Sequence, residues 1–238
     1  MTQTFADLWL TSKTLDALDK KWFVTPSPIQ AQTIPLLLAN KKNIIGQAAT
    51  WTWKTAAFWI PLIEMLNPGK HIQALILVPT RELAIQVTEE INSYQSKKDL
   101  KIITIYWWQS YDIQNRLLKN WVDILVGTPW RVIDHMNKWN IKLENLSYFI
   151  LDEADEMLNM GFVEDIDKIF ATTSKEKRVL LFSATMPRWI LSIVKKYMGE
   201  HDLISVKRED NTTSQTEQSY IKVTERDKLE VLCRVMNH

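Results

Sequence analysis

The chain has 238 residues, of which 46% are hydrophobic and 24% charged, proportions that are ordinary for a globular protein. The formal net charge of +1 shows no basic excess, so composition alone does not argue for nucleic-acid binding. The single cysteine, Cys233, excludes an internal disulfide, and no signal peptide or long apolar run is recognisable, so we expect a cytoplasmic protein.

Two residue counts are abnormal. The chain contains 11 tryptophans and only 5 glycines, whereas an average composition would give roughly 17 glycines at this length. The excess of tryptophan is about as large as the deficit of glycine. This balance suggests the hypothesis that tryptophan replaces glycine, and the hypothesis depends on where the tryptophans lie.

Short apolar, β-branched runs alternate with segments of helical period along most of the chain. The predicted strands are 42–46, 73–78, 101–106, 122–126, 148–151 and 178–182. The predicted helices are 55–66, 81–95, 110–120, 131–138 and 163–172. This alternation predicts an α/β fold, a doubly wound parallel sheet with helices on both faces, whose ligands bind at the carboxyl ends of the strands.

The C-terminal part of the sequence differs in character. Residues 207–216 contain no apolar side chain and indicate a linker. A strand at 218–223 and a helix at 227–236 are predicted to follow. Because about 20 residues cannot bury a core, we expect the chain to stop just inside a second domain.

Residues 48–55 lie between a predicted strand and a predicted helix, as a phosphate-binding loop requires. Lys54 offers an ammonium group for phosphate and Thr55 a hydroxyl for Mg²⁺. Such a loop needs glycines so that successive N–H groups can approach the ligand, yet Trp51 and Trp53 stand in its middle. From this segment alone, a phosphate site and a chance Lys-Thr pair before a helix are both open.

Three carboxylates, Asp152, Glu153 and Asp155, follow the predicted strand 148–151. Asp152 at the end of a buried strand suits Mg²⁺ bound mainly through water, and Glu153 is placed to polarise an attacking water. The same residues would also suit the acidic N-terminus of a helix. Their position roughly 100 residues after the Lys-Thr pair favours the catalytic interpretation.

Six segments occur together in a fixed order, and together they carry a family resemblance. They are 23–30 (FVTPSPIQ), 54–55 (KT), 79–83 (PTREL), 128–131 (TPWR), 152–155 (DEAD) and 183–185 (SAT). From Phe5 to the linker, the chain strongly resembles the first RecA-like domain of DEAD-box ATP-dependent RNA helicases. The resemblance implies a Q-motif region at 1–31, an ATP-binding RecA-like domain at 32–206, a linker at 207–216 and the beginning of a second RecA-like domain at 217–238.

The resemblance implies ATP as substrate and Mg²⁺ as cofactor. Phe23 would pack on the adenine and Gln30 would read its edge, whereas without the resemblance a core aromatic and a surface amide would be the preferred explanations. The residues implied to surround the phosphates are Ala49, Thr50, Trp51, Thr52, Trp53, Lys54 and Thr55. Thr55 and Asp152 would hold Mg²⁺, and Lys54, Asp152 and Glu153 would be the catalytic residues.

The resemblance also implies RNA as partner, bound through its backbone without sequence preference. The implied RNA-binding residues are Pro79, Thr80, Arg81, Trp107, Trp108, Thr128, Pro129, Trp130 and Arg131. Thr80 and Thr128 would also suit simple capping of the helices that follow them, and both roles can hold at once.

Ser183 and Thr185 would bond to the 152–155 segment and, with Asp155, couple the nucleotide state to strand separation. The alternative for Ser183 and Thr185 is capping of a helix after Pro187.

At least ten of the eleven tryptophans stand where the resemblance implies glycine. These are Trp9, Trp22, Trp51, Trp53, Trp59, Trp107, Trp108, Trp121, Trp130 and Trp139, while Trp189 is the position without a firm expectation. We therefore hypothesise a decoding difference, in which a UGA codon that the source organism translates as glycine has been read as tryptophan.

The sequence thus predicts part of an ATP-dependent RNA helicase that remodels RNA locally. The alternative is a catalytically dead RNA-binding clamp or scaffold, which is what Trp51 and Trp53 imply if they are genuine. A metabolic phosphate-loop kinase is disfavoured because 79–83 and 183–185 would then have no function. Since the remaining RNA contacts and the arginine fingers of such helicases lie in the second domain, we expect residues 1–238 alone to hydrolyse ATP poorly and to unwind nothing.

Overall fold

The computed structural model describes residues 3–39, 41–48, 54–95, 99–206 and 220–236. The chain divides into two compact units, Met1–Lys207 and Arg208–His238. The predicted linker at 207–216 lies outside the described residues. Among the described helices, none is both long and apolar enough to cross a membrane.

The first unit is built on a seven-stranded sheet in which every recorded strand pair is parallel. The strands are β1 (Asn43–Gln47), β2 (Ala74–Leu77), β3 (Ile102–Ile105), β4 (Ile124–Gly127), β5 (Tyr148–Leu151), β6 (Arg178–Ser183) and β7 (His201–Ser205), in the order β3-β4-β2-β5-β6-β1-β7. Alternate residues of each central strand enter two separate apolar cores. The predicted α/β fold with a doubly wound parallel sheet is confirmed.

Six of these strands coincide with predicted strands, because buried parallel strands form short continuous apolar runs. The seventh, β7, was not predicted. It pairs with β1 at the edge of the sheet, and Ile204 is its only buried residue. An edge strand with one buried side chain has no strong apolar pattern in its sequence.

Nine helices surround the sheet in the described part of the first unit, apart from single turns and a π-helical extension. They are α1 (Ser12–Asp19), α2 (Pro28–Ala39), α3 (Lys54–Met65), α4 (Arg81–Tyr94), α5 (Tyr111–Leu118), α6 (Pro129–Asn137), α7 (Ala154–Asn159), α8 (Val163–Ala171) and α9 (Arg188–Ile193). Four of them, α1, α2, α7 and α9, are absent from the predicted helices, although the alternatives for 152–155 and 183–185 named helices where α7 and α9 begin. The sequence of α2 is apolar almost all round and contains Pro35, so it lacks a helical period, and α7 and α9 have only six residues each.

Strands β1 and β6 are packed especially closely. A Cβ atom on Gly46 would lie 2.5 Å from the ring of Phe182, so only glycine fits at this position. The pairing continues beyond β1, where the Ala48 N–H donates to the Ser183 carbonyl at 3.2 Å. The chain segments that leave these two strands therefore start from adjacent, fixed points.

In the second unit, the described residues form a single turn at Glu225–Asp227 followed by α10 (Lys228–Met236). The predicted helix 227–236 is present, and Cys233 on it is exposed. The predicted strand 218–223 is wrong for its described residues, because 220–223 are neither paired nor helical. These residues are largely exposed, and an apolar run without a neighbouring strand has no ladder to join.

Several tryptophans adopt backbone conformations that favour glycine. Of the described non-glycine residues with positive φ, four are tryptophans: Trp9 (61°), Trp22 (62°), Trp108 (76°) and Trp139 (58°). All four side chains are exposed. A bulky residue in this region is an outlier, because its Cβ crowds the backbone.

Candidate functional site

The centre of the candidate site lies where α3 begins and β5 ends. The Thr55 hydroxyl, in the first turn of α3, donates to Oδ2 of Asp152 at 3.1 Å. Asp152 directly follows the last residue of β5 and is almost completely buried. The structure thus brings together two residues that are 97 positions apart in the sequence.

Lys54 contributes an unsatisfied charge to this centre. Its side chain is buried, and its Nζ atom has no hydrogen-bond partner among the described residues. A buried ammonium group without a partner is costly, so such a group marks a place for an anion.

Burial raises the pKa of Asp152 from 3.8 to about 6, although the positive charge of Lys54 acts in the opposite direction. Asp152 is therefore a carboxylate that its surroundings only weakly stabilise. A cation added at this point would lower that pKa again. No cluster of three or more His, Cys, Asp or Glu side chains suited to a metal ion occurs in the part of the chain that the structure describes. A cation at Asp152 would thus need oxygen ligands from a substrate and from water, as Mg²⁺ commonly has.

Glu153 occupies the N-cap position of α7 with a left-handed backbone, φ 54°. Its side chain accepts no capping hydrogen bond, although Glu153 and Asp155 do lie at the acidic N-terminus of α7, as the alternative interpretation expected. Burial is the largest influence on Glu153 and raises the pKa of its carboxyl, with Lys54 opposing. A half-buried carboxylate with raised pKa is suited to accept a proton from water.

Asp155 is bound to the segment that follows β6. Its Oδ2 atom accepts hydrogen bonds from the backbone N–H and from the hydroxyl of Thr185, both at 2.9 Å. Its own N–H donates to Ser183 Oγ at 3.2 Å, and that hydroxyl donates to the Thr185 carbonyl at 2.7 Å. The predicted contact between 183–185 and 152–155 is therefore present. Helix α9 has Pro187 at its N-cap, so Ser183 and Thr185 are not its capping residues.

Phe23 and Gln30 line one small cavity, together with Trp22, Val24, Thr25 and Ser27. The Phe23 ring is half-buried and meets the ring of Tyr94 edge-on, with centroids 5.4 Å apart. Gln30 is buried, and its Oε1 accepts from the Ser27 N–H at 2.9 Å. Phe23 thus belongs partly to the core, whereas Gln30 is not the surface amide of the alternative interpretation.

Five of the predicted phosphate-binding residues, Ala49, Thr50, Trp51, Thr52 and Trp53, lie outside the described residues. The described residues on either side of this gap are Ala48, directly after β1, and Lys54, the first residue of α3. A strand before the gap and a helix after it agree with the prediction.

A second group of predicted residues follows the adjacent strands β2, β3 and β4. Thr80 is the N-cap of α4, and its hydroxyl accepts from the Leu83 N–H at 3.2 Å, so it does serve as a helix cap. Thr128 is the N-cap of α6, with the buried Pro129 in the first turn, but its hydroxyl makes no capping bond. Arg81 is exposed, and its guanidinium lies 5.1 Å from the Tyr106 ring centroid. Thr128 and Arg81 are thus available to a ligand at this edge, and the buried Pro79 is not.

Trp107, Trp108 and Trp130 are exposed at the same edge. Arg131, by contrast, is directed into the protein. Its side chain is buried and donates to Gln114 Oε1 at 2.8 Å, to Asp134 at 3.2 Å and to the Gln109 carbonyl at 3.1 Å. Because these partners engage its guanidinium inside the protein, direct contact between Arg131 and phosphate is not supported.

The polar residues that surround Arg131 were not predicted from the sequence. Gln114 and His135 are completely buried and hydrogen-bonded to each other at 2.8 Å. Each lies in an amphipathic helix among polar neighbours, where a buried position cannot be told from a solvated one.

Comparison with known proteins agrees with this geometry. The family profile described as DEAD/DEAH box helicase matches residues 27–193. The chain is 50% identical to a probable ATP-dependent RNA helicase of Methanocaldococcus jannaschii, covering 98% of this chain and 62% of that protein. It is 47% identical to the DEAD-box ATP-dependent RNA helicase CshA of Bacillus subtilis, covering 100% of this chain and 48% of that one.

Solved structures give the same result. A DEAD box protein from the hyperthermophile Methanococcus jannaschii superposes with a TM-score of 0.83 at 48% identity, covering 99% of this chain and 63% of that one. A hypothetical ATP-dependent RNA helicase from Sulfolobus tokodaii superposes with a TM-score of 0.76 at 35% identity, covering 83% of this chain and 57% of that one. This chain therefore spans about half to three fifths of the length of these four relatives.

Proposed function

The chain belongs to the DEAD/DEAH box helicase family, and from this membership we propose that it is the ATP-binding part of an ATP-dependent RNA helicase. The observation that carries the proposal is the buried ammonium of Lys54, which has no partner among the described residues, beside Thr55 and Asp152. A nucleoside triphosphate would supply the missing anion. We also propose a cytoplasmic location, which the single cysteine favours.

In this proposal the residues at the start of α3 and the end of β5 have separate roles. Lys54 would bind the β- and γ-phosphates of ATP, and Thr55 and Asp152 would hold Mg²⁺. Mg²⁺, when bound, neutralises charge on the phosphate oxygens. The described residues fit this ion because Asp152 is a buried carboxylate with a hydroxyl 3.1 Å away, next to an open anion position.

Glu153 orients and deprotonates the water that attacks the γ-phosphate. Its carboxylate is not used as a helix cap, and its raised pKa favours proton uptake. The positive charge of Lys54 acts to lower the pKa of both Glu153 and Asp152. The hydrolytic reaction is thus supported by positioning and electrostatics, as phosphoryl transfer generally requires.

We propose RNA as the partner at the edge formed by the segments after β2, β3 and β4. The N-terminus of α4, with Arg81, and that of α6, with the Thr128 hydroxyl that makes no capping bond, offer donors to phosphate oxygens. Contacts of this kind do not read bases, so recognition would be independent of sequence. Asp155, Ser183 and Thr185 would couple ATP hydrolysis to the movement of the bound strand.

The test is ATP hydrolysis by the full-length natural protein with and without single-stranded RNA. We expect RNA to stimulate hydrolysis and short duplexes to be separated in the presence of ATP. Residues 1–238 alone should hydrolyse ATP poorly and separate no duplex. Equal ATPase rates with and without RNA would contradict the proposal.

The alternative, an RNA-binding clamp without ATPase activity, depends on tryptophan at positions 51 and 53. An indole there would stand where phosphate must enter. The same experiment distinguishes the two functions, because a clamp of this kind would hydrolyse no ATP with or without RNA.

A further inference from the structure

The loop of residues 106–109, which joins β3 to α5, is held at both of its ends by buried side chains. Gln114 Nε2, from α5, donates to the Tyr106 carbonyl at 2.9 Å. The Arg131 guanidinium, from α6, donates to the Gln109 carbonyl at 3.1 Å. These two carbonyls bracket residues 107 and 108, which are exposed at the candidate RNA-binding edge.

The two side chains that hold the loop are bonded to each other. Gln114 Oε1 accepts from Arg131 Nε and contacts His135 Nε2, each at 2.8 Å. An amide oxygen can only accept, so His135 must carry its proton on Nε2. Asn140 Nδ2 lies 3.3 Å from His135 Nδ1, which suits an unprotonated nitrogen there.

His135 is neutral at physiological pH, because burial and the nearby charge of Arg131 lower its pKa to about 4. The ring of Tyr111 stacks on His135 with centroids 4.6 Å apart. Gln114 itself is completely buried, and both its amide oxygen and its amide nitrogen are hydrogen-bonded. The Gln114 amide is not accessible to solvent, so its hydrogen bonds join parts of the protein to one another.

We propose that Gln114 is a positioning residue for RNA binding, acting with Arg131 as a buried clamp on loop 106–109. This rests on the proposed function of the edge. A surface loop is usually mobile, and ordering it on binding reduces affinity. The clamp fixes the loop beforehand, so that the backbone at 107–108 meets the RNA strand in a preset conformation.

The experiment uses the full-length natural protein and three variants. Gln114→Met removes all the hydrogen bonds of the amide. Gln114→Glu keeps an acceptor for Arg131 but loses the donor to the Tyr106 carbonyl. It therefore tests the bond to the loop while the bond to Arg131 is retained. Gln86→Met is the control, because Gln86 is an exposed glutamine on α4 whose side chain bonds only to Glu90 among the described residues.

Three quantities are measured for each: the Kd for single-stranded RNA with a non-hydrolysable ATP analogue, the ATPase rate without RNA, and the thermal midpoint. We expect Gln114→Glu to raise the RNA Kd about tenfold or more, as loss of a buried hydrogen bond should. The RNA-independent ATPase rate should stay unchanged, and Gln86→Met should match the wild type in all three.

An unchanged RNA Kd in folded Gln114→Glu would overturn the clamp. An equal loss of ATPase without RNA would also overturn it, because the residue would then be generally structural. If the wild-type protein itself does not bind RNA, the proposed function fails, and this outcome is recognised before any variant is compared. Should Gln114→Met not fold, the RNA Kd of Gln114→Glu decides between these outcomes.

A second, independent inference comes from the ends of three helices. After α7, Gly161 has φ 80°; its N–H bonds to the Leu158 carbonyl, and the next N–H, of Phe162, bonds to Met157. This is the Schellman arrangement, in which the residue with positive φ is usually glycine.

The same arrangement recurs with tryptophan in the central position. After α6, Trp139 bonds to the Met136 carbonyl and Asn140 to His135, both at 2.9 Å. After α1, Trp22 bonds to the Asp19 carbonyl at 2.9 Å and Phe23 to Leu18 at 3.1 Å. The indoles are 81% and 88% exposed, so they gain almost no apolar burial in exchange for the left-handed backbone.

We infer that the native polypeptide carries glycine at Trp9, Trp22, Trp108 and Trp139, the described tryptophans with positive φ. Four such residues out of 11 tryptophans, in a chain with only 5 glycines, indicate that one codon has been assigned to the wrong amino acid. A UGA codon read as tryptophan, where the source organism inserts glycine, accounts for both the count and the backbone.

Mass spectrometry of tryptic peptides from the protein isolated from its source tests this directly. We expect glycine at these four positions, and tryptophan found there would overturn the inference. A second measurement uses the tryptophan-containing chain. Trp139→Gly should raise its thermal midpoint by about 2–5 °C, whereas Gly161→Trp, the reverse change in the same motif, should lower it. Equal midpoints for both variants would contradict the conformational argument.

Discussion

Asp155 and Thr185 are joined by two hydrogen bonds to a single oxygen, Oδ2, one from the Thr185 N–H and one from its hydroxyl, each 2.9 Å long. Burial is the largest single influence on the Asp155 carboxyl and raises its pKa, but the hydrogen bonds from Thr185, Ser183 and the nearby backbone together outweigh it and lower the pKa overall. The pair links the segment after β5, which includes Asp152 and Glu153, to the segment after β6. Together with the bond from the Asp155 N–H to Ser183 Oγ, it connects the segment of the proposed hydrolytic carboxylates directly to residues 183–185.

Thr185→Val removes the hydroxyl bond and leaves the backbone bond in place. If this pair couples hydrolysis to strand separation, the variant of the full-length protein should separate RNA duplexes about tenfold more slowly, the effect of about 1.4 kcal/mol. Its RNA-stimulated ATPase rate should change far less. Duplex separation and ATPase rate measured on one preparation give the comparison.

The control for this experiment is Thr172→Val, because the Thr172 hydroxyl bonds only to the Ile169 carbonyl in the described part of the chain. It should leave both rates as they are. A parallel loss of both rates in Thr185→Val would show that the hydroxyl supports hydrolysis itself.

Glu153→Gln removes the proposed base while preserving the shape of the side chain. We expect the ATPase rate to fall about 10²–10⁴-fold, the usual contribution of a general base. ATP binding should persist, because Glu153 is not proposed to contact the nucleotide. The rate and the Kd for ATP are measured separately.

Glu156→Gln is the matched control, since Glu156 is an exposed carboxylate one turn along α7. It should retain the wild-type rate. A similar loss in both variants would indicate a general effect of charge near α7 rather than proton transfer.

Asp152→Asn should have opposite effects on activity and on stability. Folding raises the pKa of Asp152 from 3.8 to about 6, so its contribution to stability is greatest below pH 3.8 and is lost as the pH rises through 6. An amide at this position does not ionise. Without nucleotide, the variant should therefore be more stable than the wild type at pH 7.5, by at most about 3 kcal/mol.

Denaturant unfolding at pH 7.5 and pH 4.5 measures this difference, which should shrink at the lower pH. ATPase activity at pH 7.5 should be largely lost, because the amide cannot hold Mg²⁺ as a carboxylate does. A variant less stable than the wild type at pH 7.5 would show that the charge of Asp152 stabilises the fold.

Lys54→Gln removes the buried ammonium that lacks a partner among the described residues. The affinity for ATP should fall about 10–100-fold, since a hydrogen bond to a charged group contributes roughly 1.5–3 kcal/mol. ATP with Mg²⁺ should then raise the thermal midpoint of the wild type but not that of the variant at the same concentration.

Lys70→Gln serves as control, because Lys70 is an exposed lysine outside the site. Its midpoint should rise with ATP as in the wild type. If Lys54→Gln responds to ATP in the same way, the ammonium is not a phosphate ligand.

Much of the fold could be predicted from the sequence, because buried parallel strands have a strong local pattern. Strands β1 to β6 are apolar runs that end at polar residues such as Asp152 and Ser183, so both the sheet and its functional edge were predictable. Strand β7 was missed because only one of its five residues is buried, so its sequence contains no apolar run. It is a strand because it pairs with β1.

The error at 220–223 has a related cause. An apolar alternation forms a strand only when a neighbouring strand is present to receive its hydrogen bonds, and the sequence does not state whether one is. Local pattern predicts the tendency of a segment, and tertiary contacts decide the outcome.

The site shows the same limit at the level of single side chains. The pairing of Thr55 with Asp152 followed from motifs at the ends of strands. The burial of Arg131 did not, because the partners that enclose it, Gln114 and the Gln109 carbonyl, approach it from another helix and a loop. A charged residue in a sequence motif indicates the chemistry that is available, but its direction depends on neighbours distant in sequence.

Gly46 has a consequence for how this protein can change. With the Phe182 ring where a side chain would be, β1 and β6 cannot move apart to accept even an alanine without disturbing the core. The distance between Ala48 and Ser183, where the two following segments begin, is therefore set by the packing of β1 against β6. A substitution in either segment would therefore change the side chains presented at this edge of the sheet, while the contact between Gly46 and Phe182 keeps the ends of the two strands aligned.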